Sequence, residues 1–152
     1  MKKVIQSFAL LSLLAASSGA FAADKVCKVD IAGSDQMQFD KKEISIAADC
    51  TEVEVTLKHT GTMAITDMGH NWVLTKAADM MGVAGDGVGA LAANDFIKKG
   101  DARVIAHTKL IGGGQSASVK FPTSALKKGE AYVFFCSYPG HWSIMKGTLK
   151  FG

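Results

Sequence analysis

Beyond its first 22 residues the sequence contains no apolar run long enough to cross a membrane, which takes about 20 consecutive apolar residues, so a soluble protein with no membrane insertion is expected. It also lacks a stripe of one charge. Seventeen Lys and Arg are interspersed with fourteen Asp and Glu, whereas a phosphate backbone is gripped by clustered cations, and this argues against nucleic acid as a partner. Proline is scarce, with two residues against sixteen glycines, a balance that suits turns better than helices. Cysteine is scarce and odd in number at three, so in an exported protein one thiol must be free, metal-bound or paired between chains.

Export is what the first residues indicate. Lys2 and Lys3 precede the apolar run Phe8 to Ala16, and Ala20-Phe21-Ala22 closes the segment. Basic, apolar and small-residue parts in that order make a cleavable secretory signal, and the apolar part is too short to span a bilayer. Cleavage after residue 22 leaves residues 23–152 as a single domain. Because the leader holds two lysines and no acid, it also lowers the net charge from +3 to about +1. The expected location is the periplasm, an oxidising compartment. Cys27 lies in the alternating run Val26 to Ile31 and Cys50 follows Ile44 to Asp49; both positions are compatible with a disulfide near one end of a barrel, worth about 3 kcal/mol in the chain-entropy account. Cys136 is then the leftover thiol. An exposed one would be open to oxidation, whereas coordination to a metal deprotonates and occupies it.

Alternation of period two recurs along the chain. Val53, Val55 and Leu57 alternate with Glu52, Glu54, Thr56 and Lys58, and similar runs occur at Cys27-Val29-Ile31, Ala117-Val119-Phe121 and Gly147-Leu149-Phe151. Each reads as a strand with one face buried and one wet. Many short strands between turn-formers such as Gly112-Gly113-Gly114 and Lys127-Lys128-Gly129 predict an all-β sandwich or barrel. The stretch Ala77 to Ala93 does not alternate and is expected to be an insertion with a short helix. Parity sorts the histidines: His70 shares a face with Trp72 and Leu74 and should point inward near the rim. His59 shares one with Val53, Val55 and Leu57 and reads as a buried, hydrogen-bonded core residue, while His107 reads as a surface residue.

The chemistry concentrates in Cys136-Ser137-Tyr138-Pro139-Gly140-His141-Trp142-Ser143-Ile144-Met145, where Cys-x4-His-x3-Met puts a thiolate, an imidazole and a thioether on one short loop. Soft sulfur ligands with imidazole select copper, and two His with one Cys in a trigonal plane plus a long, weak Met bond is the blue-copper arrangement. The loop lacks one histidine, and His70 in Gly69-His70-Asn71-Trp72-Val73-Leu74 is the candidate. The remaining methionines read as core or patch filler. Asn71, beside His70, is placed to bond the backbone around Ser137 and tie the two ligand segments together; Phe39, Phe134 and Phe135 would supply apolar packing.

Asp35-Gln36-Met37-Gln38-Phe39, Met68 to Leu74, Arg103 to Gly112 and Phe134-Phe135-Cys136 resemble the azurin family of blue-copper proteins, the cupredoxins, along nearly the whole mature length. The resemblance implies an eight-stranded Greek-key barrel with a helical flap and a periplasmic protein that shuttles single electrons on one copper per chain, as a monomer and not as an enzyme. It implies that the Gly69 carbonyl approaches the metal opposite Met145, helped by the missing side chain. It also implies that Met37, Met63, Met68, Tyr138, Gly140 and Ile144 form an apolar docking patch around His141, and that the redox partners are proteins such as c-type cytochromes or a nitrite reductase. Two positions depart from the family pattern: Asp67 stands where an apolar residue is expected and Trp142 where a small one is.

The main rival is a periplasmic copper carrier or chaperone, which would favour exposed Met-rich loops over a thiolate at the end of an aromatic strand. A copper oxidase or reductase needs an open metal position and a further His cluster, and the sequence offers neither. Plastocyanin-like and pseudoazurin-like carriers have a shorter Cys-to-His spacing.

Overall fold

The computed structural model describes residues 24–152, and the signal assigned to residues 1–22 lies outside them. The alternating runs become strands: β1 (Val26–Ser34), β2 (Gln38–Phe39), β3 (Glu43–Ile46), β4 (Glu52–His59), β5 (Val73–Lys76), β6 (Val104–His107), β7 (Ser116–Pro122), β8 (Tyr132–Phe135) and β9 (Lys146–Phe151). They form two sheets, in the orders β2-β1-β4-β7 and β3-β9-β8-β5-β6. In β4, Val53, Val55, Leu57 and His59 are buried and the residues between them are not, as a strand with one wet face requires. The register with β7 pairs Val53 with Phe121 and Val55 with Val119, so cross-strand apolar pairs line the interior.

Nine strands appear among the described residues where eight were expected. The additional one comes from a change of sheet. β2 stays with β1, pairing Gly33 with Phe39, while β3 lies parallel to β9 on the other sheet. Between them Asp40 is pinned to β1, its N–H donating to the Ala32 carbonyl and its carboxylate accepting from the Ala32 N–H. The Lys42 carbonyl already accepts from Thr148 of β9.

The sandwich is filled by Ile31, Val55, Leu57, Trp72, Phe134 and Leu149 with their neighbours. Trp72 is fully buried, with Phe121 and Phe134 rings 6.2 and 6.1 Å away. Its indole N–H has no partner among the described residues, a cost of about 1–3 kcal/mol that is offset by the area this ring removes from water. Cys27 and Cys50 form a disulfide, Cα atoms 5.8 Å apart, and Cys136 is the buried free thiol.

The non-alternating stretch is the expected insertion. A 3-10 turn at Ala77–Asp79 leads into α2 (Met80–Val88), following a one-turn helix α1 (Ile65–Met68) on the other side of β5. Three glycines make α2 intrinsically weak, and packing holds it. Met80, Val83 and Ala84 join Ile97, Val73 and Phe135 in a second buried cluster. β5 and β8 are therefore covered on both faces, Leu74 and Phe134 inward and Val73 and Phe135 under the helix.

Gly147 faces Phe134 across the β8–β9 ladder. A Cβ there would overlap the Phe134 ring and lie 2.6 Å from the Lys42 carbonyl oxygen. Gly147→Ala is expected to destabilise the fold by about 1–3 kcal/mol, the usual cost of overpacking, measured as a lower urea midpoint at unchanged slope.

Candidate metal centre

β8 delivers Cys136 to the end of the sandwich. Tyr132 and Phe134 point inward, so Cys136, two residues on, points inward as well. The loop then folds on its own backbone. His141 N–H donates to Tyr138 O at 3.0 Å, Met145 N–H to His141 O at 2.7 Å, and Cys136 N–H to Met145 O at 3.0 Å. Gly140 at φ +83° makes the reversal, a conformation that glycine adopts without steric cost. Cys136, His141 and Met145 are thus brought together by bonds local to the loop. His70 arrives just before β5, the neighbour of β8 in the same sheet, held by a two-bond bridge to Ile111 (2.9 and 2.8 Å).

Cys136 Sγ lies 3.6 Å from His141 Nδ1 and 3.9 Å from His70 Nδ1. The three donor atoms fall within 4.8 Å of one another, all on buried residues. Metal–nitrogen and metal–sulfur bonds of about 2.0 and 2.3 Å at 120° would separate S from N by about 3.7 Å, so the donors are spaced for one ion. His70 Nε2 lies 2.8 Å from the Ser34 carbonyl. Its N–H donates there, which leaves the Nδ1 lone pair facing the sulfur. Burial pushes the Cys136 thiol up to about 12, against the pull of backbone N–H groups of Asn71 and Tyr138 aimed at it. Burial first, then the neighbouring His70 and His59, holds His141 down to about 4; His70 is lowered as well, chiefly by burial. At neutral pH the site therefore presents two free imidazole nitrogens and a thiol. Two nitrogens and a soft sulfur in a dry pocket suit copper.

Met145 is fully buried. A Cβ on Gly33 of β1 would lie 2.8 Å from Met145 Cε and 2.9 Å from His70 Cδ2, so the thioether methyl and the imidazole meet over a gap that only glycine leaves open. Sequence reading missed Gly33, although a glycine inside an alternating strand is a signal of close approach. The Gly69 carbonyl stands 3.8 Å from Cys136 Sγ. Its missing side chain also avoids crowding: a Cβ would meet the Ile65 carbonyl at 2.6 Å, with Tyr138 and Leu110 at 3.0 and 3.1 Å.

The bridge between ligand segments is present. Ser137 N–H donates to Asn71 Oδ1 at 2.8 Å, and Asn71 Nδ2 donates to Ser137 Oγ at 2.7 Å and to the Asp95 carbonyl at 2.8 Å. Asp95, on the insertion, had no sequence signal. His59 is buried with both nitrogens engaged, Nε2 with Met68 O at 2.8 Å and Nδ1 accepting from Gly61 at 3.1 Å. Its ring stacks on His70 at 4.3 Å, a core role as expected. His107 is half-buried, its Nδ1 3.1 Å from Thr108 O.

His141 is 4% exposed, and Tyr138 packs on it at 4.6 Å. Of the expected patch, Met63 (40%) and Ile144 (50%) are the most open side chains. Met37, Met68 and Tyr138 are half-buried and Gly140 is exposed. Ile65, exposed to 39%, was missed. Trp142 is half-buried and packs against the second cluster, the one that α2 covers. Asp67 is exposed on α1.

Comparison with known proteins agrees with this geometry. The family model of copper-binding proteins, plastocyanin/azurin family, matches residues 25–152. Azurin-1 of Alcaligenes xylosoxydans xylosoxydans is 59% identical over 82% of this chain and 96% of its own. The azurins of Bordetella pertussis and Pseudomonas aeruginosa are 53% and 50% identical, each over 98% of this chain and over 97% and 98% of theirs. The solved azurin Az-iso2 of Methylomonas sp. strain J superposes with a TM-score of 0.81 at 52% identity, covering 83% of this chain and 98% of that one. With its two-sheet fold and its buried His-Cys-His cluster, the chain belongs to the plastocyanin/azurin family of copper-binding proteins.

Proposed function

We propose that His70, Cys136 and His141, joined by Met145 and the Gly69 carbonyl as weaker donors, would hold the single copper of this blue-copper electron-transfer protein. The observation that carries the assignment is the buried sulfur with two imidazole Nδ1 atoms at 3.6 and 3.9 Å. Copper, when bound, supplies a one-electron Cu(II)/Cu(I) couple. The chain's own groups do the rest. Ser34 fixes the His70 tautomer, Asn71 and Ser137 hold the two ligand segments in register, and the surrounding aromatic core excludes water. With the sulfur, His70 and Met145 fully buried, the rim of His141 is the ligand edge nearest solvent. The electron leaves there, across a patch formed by Met37, Met63, Met68, Tyr138, Gly140 and Ile144, to which Ile65 is added. A small apolar face suits a short redox encounter.

The mature protein is a monomeric domain of residues 23–152 working in the periplasm after removal of residues 1–22, with a c-type cytochrome or a nitrite reductase as the kind of partner. A full ligand set leaves no place for a substrate, which is why no enzymatic reaction is assigned. Ligand burial opposes rapid ligand exchange and so disfavours the copper-carrier reading.

Three measurements test this. The oxidised copper protein should be intensely blue and Cys136→Ser colourless. Met145→Leu should stay blue with a raised potential, because loss of a weak donor disfavours Cu(II) more than Cu(I). A colourless parent, or an unmoved potential in Met145→Leu, removes the corresponding assignment.

Loading the copper-free protein at pH 7 should release about one proton per ion, that of Cys136, because coordination requires the thiolate. As the pH falls through about 4, His141 takes up a proton in the copper-free protein, so the number released rises and the affinity drops more steeply. Calorimetry in buffers of different ionisation enthalpy reads this count, and release of no proton at pH 7 would exclude Cys136 as a ligand.

Met63→Lys should slow electron self-exchange about tenfold or more at low salt while sparing the visible spectrum, since a cation in a closing apolar contact must be desolvated. NMR line broadening of mixed oxidation states measures it. Parent-like exchange would place the exit elsewhere.

A further inference from the structure

Three residues with side chains have positive φ within six positions of the insertion: Leu91 (φ +61°), Asp95 (φ +56°, left-handed) and Phe96 (φ +52°). Aspartate tolerates this region, whereas a bulky residue such as Phe does so only when its surroundings force it. Strain of this kind, kept in a surface segment, points to a contact that needs it.

That contact is with the residues flanking two of the ligands. The Asp95 carbonyl accepts from Asn71 Nδ2 at 2.8 Å and from Ser137 Oγ at 2.9 Å. Asn71 and Ser137 are fully buried, and Asn71 uses both amide protons, one on Ser137 Oγ and one on Asp95. One residue along, the Phe96 ring stands edge-on to Tyr138 at 5.2 Å. The segment thus touches both residues that follow Cys136.

It is itself seated on three sides. The Asp95 carboxylate accepts from the Leu110 N–H at 2.8 Å, and the Asn94 side chain donates to the Ala90 carbonyl at 2.9 Å. Ile97 is buried in the second cluster. Gly87 of α2 has no Cβ where the Phe96 carbonyl abuts it.

We propose that Leu91–Ile97 is a positioning clamp for the thiolate loop: the Asp95 carbonyl, aimed by the left-handed turn, fixes the Ser137 hydroxyl and Asn71 amide, and so holds the Asn71 and Tyr138 N–H groups on the Cys136 sulfur. This deepens the copper reading and rests on it. N–H donors withdraw charge from the sulfur and favour Cu(I), so loosening the clamp lowers the reduction potential. Asp95 acts through other residues and touches no ligand.

The test uses Asp95→Val, whose β-branch disfavours the left-handed turn and which loses the bond to Leu110, with Asp95→Asn as the conservative rescue that keeps both. Hydrogen exchange of the copper-free protein should show the Ser137 and Tyr138 amides about tenfold faster in Asp95→Val, with β4 amides unchanged. In the copper protein the Cu(II)/Cu(I) balance should shift about fivefold toward Cu(II), the scale of one net hydrogen bond, and Asp95→Asn should match the parent in both. Ser137→Ala, which removes only the hydroxyl, should shift the balance the same way and decides the matter if Asp95→Val does not fold. Parent-like exchange and potential in Asp95→Val overturn the clamp, as does equal acceleration of all amides, or an Asp95→Asn variant as disturbed as Asp95→Val. A colourless parent would instead defeat the copper reading, and the exchange arm, read without metal, would still judge the clamp.

Discussion

The Asn71–Ser137 pair is the joint on which the site depends. His70 and Cys136 come from segments 66 residues apart, and each ligand is followed directly by one member of the pair. The side chain of one caps the backbone of the other, with Ser137 N–H on Asn71 Oδ1 at 2.8 Å, in a place that water does not reach. A buried hydrogen bond of this kind is modest in net stability, but leaving its groups unpaired costs about 1–3 kcal/mol each. The two segments are therefore held in one register or substantially disrupted, with little between. That all-or-none character is what a redox site needs if its ligands are to stay put when the charge on the metal changes.

The same burial decides the protonation states. Taking the thiol out of water pushes it up to about 12 and takes His141 down to about 4, with His70 lowered as well, so the ligand side chains by themselves are electrically neutral over the physiological range. Neutrality lets both imidazoles stand within 4 Å of the sulfur without burying an unpaired charge. The cost of making a thiolate is deferred to the moment of binding, when a cation is present to stabilise it. A pocket that carried its thiolate permanently would have to bury an unpaired charge, which folding seldom tolerates.

Much of this was legible in the sequence because it rests on short-range rules. Cys-x4-His-x3-Met closes a loop by local hydrogen bonds, and period-two runs fix which side chains face inward, so His59 and His70 could be sorted by parity alone. What escaped depends on contacts between distant segments. Gly33 shows its purpose only when Met145 and His70 converge on it. Asp95 sits in a polar stretch of the insertion, and only the fold brings its carbonyl to Ser137. Gly69 was identified, but the crowding that excludes a side chain comes from Ile65, Tyr138 and Leu110. The ninth strand reflects a change of sheet near Asp40 that no periodicity marks. Trp142 departs from the family pattern by composition, and the fold packs part of it against the second cluster.

The asymmetry of the centre follows from how the loop closes. Gly140 in left-handed backbone sends the chain outward, and the 3-10 turn His141–Ser143 brings it back. His141 thus lies on the far turn of a loop whose two ends, Cys136 and Met145, are tied together inside, and it is the ligand side chain closest to solvent. His70 is instead screened by the stacked ring of His59 on one side and by β1 on another. Of the two imidazoles one is a wall and the other a window, and the distinction is fixed by backbone geometry. The Tyr138 hydroxyl donates to the Thr66 carbonyl of α1, joining the ligand loop to the segment that carries Met63 and Ile65. The rim around the window is thereby held by the same loop that holds the sulfur, so the apolar surface and the donor cluster move as one unit.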